Sequence, residues 1–321
     1  MSKYRLTPKP GIARAGRFVN TQVSPVIITS KPGVVRVQQN QKSADKIAKA
    51  EQVKKVIIKK PDKKPVRKKR ATPRSQSQYR SSPLKRRKEI EIGRYKKAVE
   101  GLRGKGQGRL LIMVACGPSI SEVQLPKLKG HPRIDIMSIN KPDPRLYPTD
   151  YWVFCDQSQF TRNRKLFEEY QGTIINAWSV RARHQNQILI RNRSGRGFSK
   201  NLLQGYYIGR STTFANMQVA YWMGYDKVFI FGCDMCKPPN VDKLHFYGTN
   251  PDVDPSIRAK RFAKEAEHYQ NGSKQLSPAE RKKFVFCSSY NPWPFIKQFE
   301  QMDHKIAIDH ILKLANDLEQ K

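Results

Sequence analysis

The sequence predicts an α/β fold, a doubly wound and mostly parallel sheet covered by helices on both faces, preceded by a basic N-terminal arm. Three observations lead there. Charge is divided unevenly along the chain, short continuous apolar runs alternate with amphipathic stretches from residue 110 onward, and small or polar residues follow the apolar runs. Of the 321 residues, 62 are Lys or Arg and 26 are Asp or Glu, a formal net charge of +36. Residues 1–109 hold 32 basic and 6 acidic side chains (+26), which leaves 30 and 20 (+10) for residues 110–321. The expected organisation is a largely disordered basic arm over 1–90, a glycine-rich hinge over 91–109, and a folded domain over 110–321, long enough to bury a core.

In chain order, the candidate strands are Leu110 to Ala115, Ile134 to Ile139, Tyr151 to Cys155, Thr173 to Ile175, Val228 to Phe231 and Phe284 to Phe286. The helix-like stretches are Gln159 to Tyr170, Thr213 to Met223, Pro255 to Tyr269 and Ala307 to Leu318. Ser211, Thr212 and Thr213 are placed to cap the second of these, and Gly224 to stop it. The last has an apolar stripe at Ile308, Ile311, Leu312, Ala315 and Leu318, which marks it as core cover.

The residues after each strand carry the functional expectation. Leu110 to Ala115 leads to Cys116-Gly117-Pro118-Ser119, Ile134 to Ile139 to Asn140, Tyr151 to Cys155 to Asp156, Thr173 to Ile175 to Asn176, and Val228 to Phe231 to Gly232-Cys233-Asp234. Any one of them is an ordinary turn residue. Five in series point to a ligand cleft outside the carboxyl ends of the strands. Gly117-Pro118-Ser119 reads as a short phosphate turn. The Cys233-Asp234-Met235-Cys236 spacing is thioredoxin-like but follows a late strand and lacks a second ligand pair, so Asp234 is the expected functional member and the cysteines packing residues. His245 lies in a loop beyond Asp234 and is the candidate base.

Five cysteines in a chain of this length make no disulfide framework, and no apolar run approaches the roughly 20 residues that span a bilayer. An intracellular protein without a membrane span is expected. The arm's runs Lys59-Lys60-Pro61-Asp62-Lys63-Lys64-Pro65-Val66-Arg67-Lys68-Lys69-Arg70 and Lys85-Arg86-Arg87-Lys88 suit nucleic acid or another polyanion. Two of its segments, Val23 to Val37 and Ala44 to Ile58, have the patterning of local order. No Gly-x-x-x-x-Gly-Lys-Ser/Thr element occurs, which sets aside a P-loop nucleotidase.

Ala115-Cys116-Gly117-Pro118-Ser119-Ile120, Asn140, Val153-Phe154-Cys155-Asp156, Arg210-Ser211-Thr212-Thr213 and Gly224-Tyr225-Asp226-Lys227-Val228-Phe229-Ile230-Phe231-Gly232-Cys233-Asp234 occur in an order that resembles the bacterial lipooligosaccharide sialyltransferase family. They are similar as well to the archaeal 6-hydroxymethylpterin diphosphokinase-like family. The likeness covers about residues 110–250 and implies a Rossmann-like, glycosyltransferase-like fold. On the sialyltransferase pattern Gly117, Pro118, Ser119, Asn140, Asp156, Arg210 and Thr213 line a site for a nucleotide-sugar of cytidine type, and no metal is needed.

This chain departs from that pattern in having Cys116 and Asp156 where the family has Asn, and Thr249 where it has its catalytic His. Asp156 matches instead the diphosphokinase-like pattern, which implies ATP and Mg²⁺ held by Asp156 with Asp234. Three readings follow. The first is a nucleotide-dependent transferase with Arg210 on the leaving phosphate and His245 or Asp234 as base. The second is a catalytically inactive nucleic-acid-binding or virion-type structural protein. The third is a Mg²⁺-dependent diphosphokinase acting on a small heterocycle.

Overall fold

A computed structural model describes residues 83–237, 243–248 and 255–320. The arm's runs through Lys63, Lys64, Arg67, Lys68, Lys69 and Arg70, the segments 23–37 and 44–58, and Thr249 all lie outside the described residues. Ten strands and seven helices are described: α1 (Pro83–Glu100), β1 (Leu110–Val114), β2 (Ile134–Ile139), β3 (Tyr151–Phe154), α2 (Gln157–Arg162), α3 (Arg164–Glu169), β4 (Thr173–Ala177), β5 (Gln187–Ile190), β6 (Asn192–Arg193), β7 (Tyr206–Tyr207), α4 (Thr212–Met223), β8 (Lys227–Phe231), α5 (Pro255–Ser273), α6 (Pro278–Arg281), β9 (Phe284–Cys287), β10 (Glu300–Gln301) and α7 (Ala307–Glu319). Eight strands form one sheet in the order β10-β9-β8-β1-β2-β3-β4-β5, every pairing parallel. The remaining two, β6 and β7, pair as a small parallel ribbon.

Alternation along the central strands fills both faces, as a parallel sheet under two helical layers requires. Leu111, Met113, Val228, Ile230, Phe284 and Phe286 enter one core. Leu110, Ile112, Val114, Phe229, Phe231 and Val285 enter the other. The first core is closed by α4, in which all residues but Tyr221 are buried. The second is closed by α7 through Ala307, Ile308, Ile311 and Ala315, most of the stripe read from the sequence. Ser211 caps α4 by accepting from the Phe214 amide, and Gly224 ends it in the left-handed conformation at φ 79°.

The sheet's connectivity fixes where a ligand can bind. From β1 the chain steps outward through β2, β3, β4 and β5, then returns to the other flank of β1 with β8, β9 and β10. The winding therefore reverses between β1 and β8, and a crevice opens at their carboxyl ends.

Two expectations are corrected. The stretch 91–109 is part of the domain and not a hinge, because α1 packs on β5 and buries Tyr95, Val99 and Leu102 in the first core. Its glycines are packed too: the Gly106 amide donates to the Met223 carbonyl at 2.8 Å, and the Gly106 Cα faces the Tyr225 ring. Lys85, Arg86, Arg87 and Lys88 lie within α1. The helix expected from Gln159 to Tyr170 breaks at Asn163, whose ψ of 28° separates α2 from α3.

Leu102 is fully buried. Leu102→Ala is expected to lower the unfolding free energy by about 3 kcal/mol in urea titration, the cost of a core cavity, whereas a linker position would leave it unchanged.

Candidate functional site

The crevice between β1 and β8 is a cleft of about 450 Å³. Its floor is made by the strand ends, at Cys116, Gly117, Asn140, Gly232 and Cys233. One wall is the start of α2, with Asp156, Gln159 and Arg162; a second is the start of α4, from Arg210 to Thr213. α5 contributes Arg258, Arg261 and Glu265, packed beside the start of α4 through the Ser211–Tyr269 hydrogen bond, and the loop with His245 and Tyr247 completes the lining. Among the described residues, the non-glycine positions with positive φ are Asn140 (62°), Arg210 (59°) and Met235 (50°), and all three line this cleft. Such backbone costs about 1 kcal/mol or more per residue, and it collects where a site demands particular side-chain placement.

The sequence-predicted residues separate into two groups. Gly117, Asn140, Asp156, Arg210, Thr213 and His245 come together around the cleft. Pro118, Ser119 and Asp234 do not line it: each is buried, Asp234 to 1 % exposure. Asp234 Oδ2 accepts from the Ser119 amide at 2.9 Å, while its Oδ1 accepts from Ser119 Oγ at 2.7 Å and Ser288 Oγ at 2.5 Å. The carboxylate ties the turn after β1 to the ends of β8 and β9. It is neither a base facing an acceptor nor, with Asp156, a ligand pair for Mg²⁺.

The phosphate-turn reading of Gly117-Pro118-Ser119 falls with it. The Gly117 amide donates to the Gly232 carbonyl at 2.8 Å, the Ser119 amide is taken by Asp234, and Pro118 has no N–H. Gly117 is needed for close approach, since a Cβ there would meet the Asp234 carboxylate and the Gly232 carbonyl.

Anion-binding capacity sits instead on the α4 wall and on α5. Thr212 and Thr213, whose amides have no intrahelical acceptor as the first residues of α4, line the cleft beside the exposed Arg210. On α5, Arg258 and Arg261 stand one turn apart. Arg261 Nε donates to Glu265 Oε1 at 2.9 Å, whereas the buried Arg258 Nε has no hydrogen-bond partner. Burial raises the Glu265 carboxyl's pKa, against the lowering effect of Arg261, Arg258 and Arg210. With Arg162, the lining holds four arginines against the carboxylates of Asp156 and Glu265. Arg162, Arg258 and Arg261 escaped the sequence reading, although Arg258, Arg261 and Glu265 at i, i+3 and i+7 mark one polar face of a helix it had placed.

His245 stacks on Tyr247, ring centroids 5.1 Å apart and planes within 15°. The loop is pinned by the Phe246 amide, which donates to the Cys116 carbonyl at 3.0 Å, and Lys141 Nζ sits 4.8 Å from the Tyr247 ring centroid. Burial first, then the charges of Arg258 and Arg261, hold the His245 imidazole below its usual pKa. The thiols are not poised to react. Burial pushes Cys116 up to about 11 and Cys155 and Cys233 up to about 12. Cys233 and Cys236 are unbridged, the latter donating to the Tyr290 carbonyl at 3.0 Å. Among the described residues no group of three or more His, Cys, Asp or Glu side chains is arranged to hold a metal ion. The exposed Asp156 carboxylate takes no hydrogen bond in the described residues.

No protein-family model, curated protein or solved structure matches the chain.

Asp234→Ala is expected to destabilise the domain by about 3 kcal/mol, because it strands the buried Ser119 and Ser288 donors. Asp156→Ala, on an exposed carboxylate, is expected to leave the thermal midpoint where it is. Paired thermal denaturation of the two variants reads the contrast directly.

Proposed function

We propose that the chain is a nucleotide-dependent transferase of glycosyltransferase-like kind, held on nucleic acid or another polyanion by the basic residues of 1–90. The observation that carries this reading is the arginine-lined cleft at the winding reversal, with the first turn of α4 and the imidazole of His245 in its lining. The donor is a nucleotide-sugar. Its phosphates lie among Arg210, the first turn of α4 and Arg258, where charge and N–H donors converge. The acceptor hydroxyl loses its proton to His245 as its oxygen bonds to the sugar carbon. The bond from that carbon to the phosphate oxygen breaks, and the electron pair leaves on the nucleotide, where Arg210 and the helix amides stabilise it.

Asp156 supports a second reading, transfer of a diphosphoryl group from ATP to a small heterocycle, because its carboxylate is exposed at the cleft and unengaged. The nucleotide panel that tests the first reading separates the two. Under the glycosyltransferase reading, a cytidine nucleotide raises the thermal midpoint equally with and without Mg²⁺, by mass action on the folded state. Under the second, ATP does so and needs Mg²⁺. If no nucleotide shifts the midpoint, both readings fail and the inactive structural protein stands.

Two outcomes follow for an active chain. Arg210→Ala is expected to weaken nucleotide binding at least tenfold, the loss of a charge-assisted contact. As for pH, a base with a lowered pKa is competent once deprotonated. Transfer should therefore rise with pH through a value under 6.5 and be level above it, and Arg258→Ala, by removing a neighbouring positive charge, should move that rise to higher pH. A rate profile on the wild type and the variant checks both.

A further inference from the structure

We propose that the folded domain has its own binding surface for single-stranded nucleic acid, on the face formed by α1, β5 and the segment from Trp178 to Tyr207. It is separate from the basic residues of 1–82, and the inference does not depend on the transferase reading. Residues 178–204 contain six basic side chains, Arg181, Arg183, Arg191, Arg193, Arg196 and Lys200, and no Asp or Glu. Arg196 pairs with Glu267 and Lys200 with Glu280. The other four arginines have no carboxylate partner among the described residues. Unpaired like charges repel one another and destabilise a folded chain, so a cluster of them calls for an anionic ligand.

The arginines are also held against aromatic rings. Arg191 Cζ lies 5.0 Å from the Tyr95 ring centroid and 5.7 Å from that of Trp178, and those rings meet edge to face at 5.6 Å. Arg193 Cζ lies 4.7 Å from the Tyr207 ring centroid. Beside this array is a hollow of about 440 Å³ between α1 and β5, with Arg94, Tyr95, Trp178, Arg183 and Gln187 in its lining and Glu91 as its one carboxylate. Gln187 Nε2 has no hydrogen-bond partner. Cations for phosphates, and the half-buried rings of Trp178 and Tyr207 with guanidinium planes for base stacking, are elements that recognise an unpaired strand; a duplex hides its base faces. A lipid surface suits the face poorly. Among the residues whose exposure is described, the exposed large hydrophobics are Tyr247, Ile257 and Ile306, none of which lies in 91–100, β5 or 178–207.

The surface leads to the cleft at both ends of the segment. The Arg181 amide donates to Gln157 Oε1 at 2.6 Å, next to Asp156, and Tyr207 precedes Arg210 by three residues. A strand laid across it would be brought to the rim of the candidate site.

The test uses the full chain, a labelled single-stranded oligothymidylate, a duplex of the same length and inorganic polyphosphate. Replacing Arg181, Arg183 and Arg193 together by Ala is expected to weaken single-strand binding at least tenfold. It should flatten the plot of log affinity against log salt by about two, at about 0.7 per lost phosphate contact. On the unmodified chain, an oligonucleotide with a photoreactive thiobase should crosslink to peptides containing Trp178 or Tyr207, a readout that does not depend on the variant folding. Unchanged affinity and slope, or crosslinks confined to residues 1–82, would overturn the proposal. So would duplex or polyphosphate bound as tightly as the single strand, since then the rings contribute nothing.

Discussion

The buried carboxylate of Asp234 is the constraint on which the cleft depends. Three donors converge on it, from Ser119 after β1 and Ser288 after β9, while its own chain position fixes the end of β8. A winding reversal leaves β1 and β8 as neighbours whose following segments diverge, and without a tie their turns would be free to close the crevice or splay it. The two side-chain oxygens of an Asp offer enough lone pairs for three donors, and leaving such buried donors unmet costs about 1–3 kcal/mol each. The tie works at one spacing alone. It brings the carboxylate against Gly117, where no Cβ fits, and so the Gly in the first turn and the Asp in the second are one feature.

That coupling explains what was readable in the sequence and what was not. The central strands were legible because a parallel sheet covered on both faces asks for unbroken apolar runs, and Leu110–Val114 and Lys227–Phe231 supply them. Gly117, Asn140 and Asp156 were legible as cleft residues because strand ends are fixed by the strands. The role of Asp234 was not, since a polar residue after a strand reads the same whether its side chain faces the crevice or turns under it. Ser288, which decides the matter, follows a strand more than fifty residues later.

Helix α1 was hidden for another reason. Tyr95, Val99 and Leu102 have the spacing of an apolar stripe, but they sit among Arg94, Lys96, Lys97, Arg103 and Lys105, and the glycines that follow have the composition of a hinge. Local composition reported the solvent face of the helix. Its buried face became evident only with β5 beside it, a strand too short and too polar at Gln187 to stand out. Arg258 and Arg261 were likewise unreadable as site residues, because α5 comes to the cleft by tertiary packing from a place in the chain that carries no motif.

The charge distribution can now be taken further than its division between arm and domain. The net charge of +10 over residues 110–321 is not spread evenly along them, because acidic residues are absent from 178–204 and basic ones elsewhere are paired, as Lys227 is with Glu300. Four arginines line the cleft, and four more without a carboxylate partner among the described residues lie between Trp178 and Arg210. The left-handed residues Asn140, Arg210 and Met235 gather around the same cleft. Repulsion and backbone strain are both costs that folding alone would not retain, and neither is needed to build the sheet, whose apolar strands would close without them. Their meeting in one region therefore marks the part of the molecule shaped for something other than its own stability, an anionic ligand that the rest of the fold does not require.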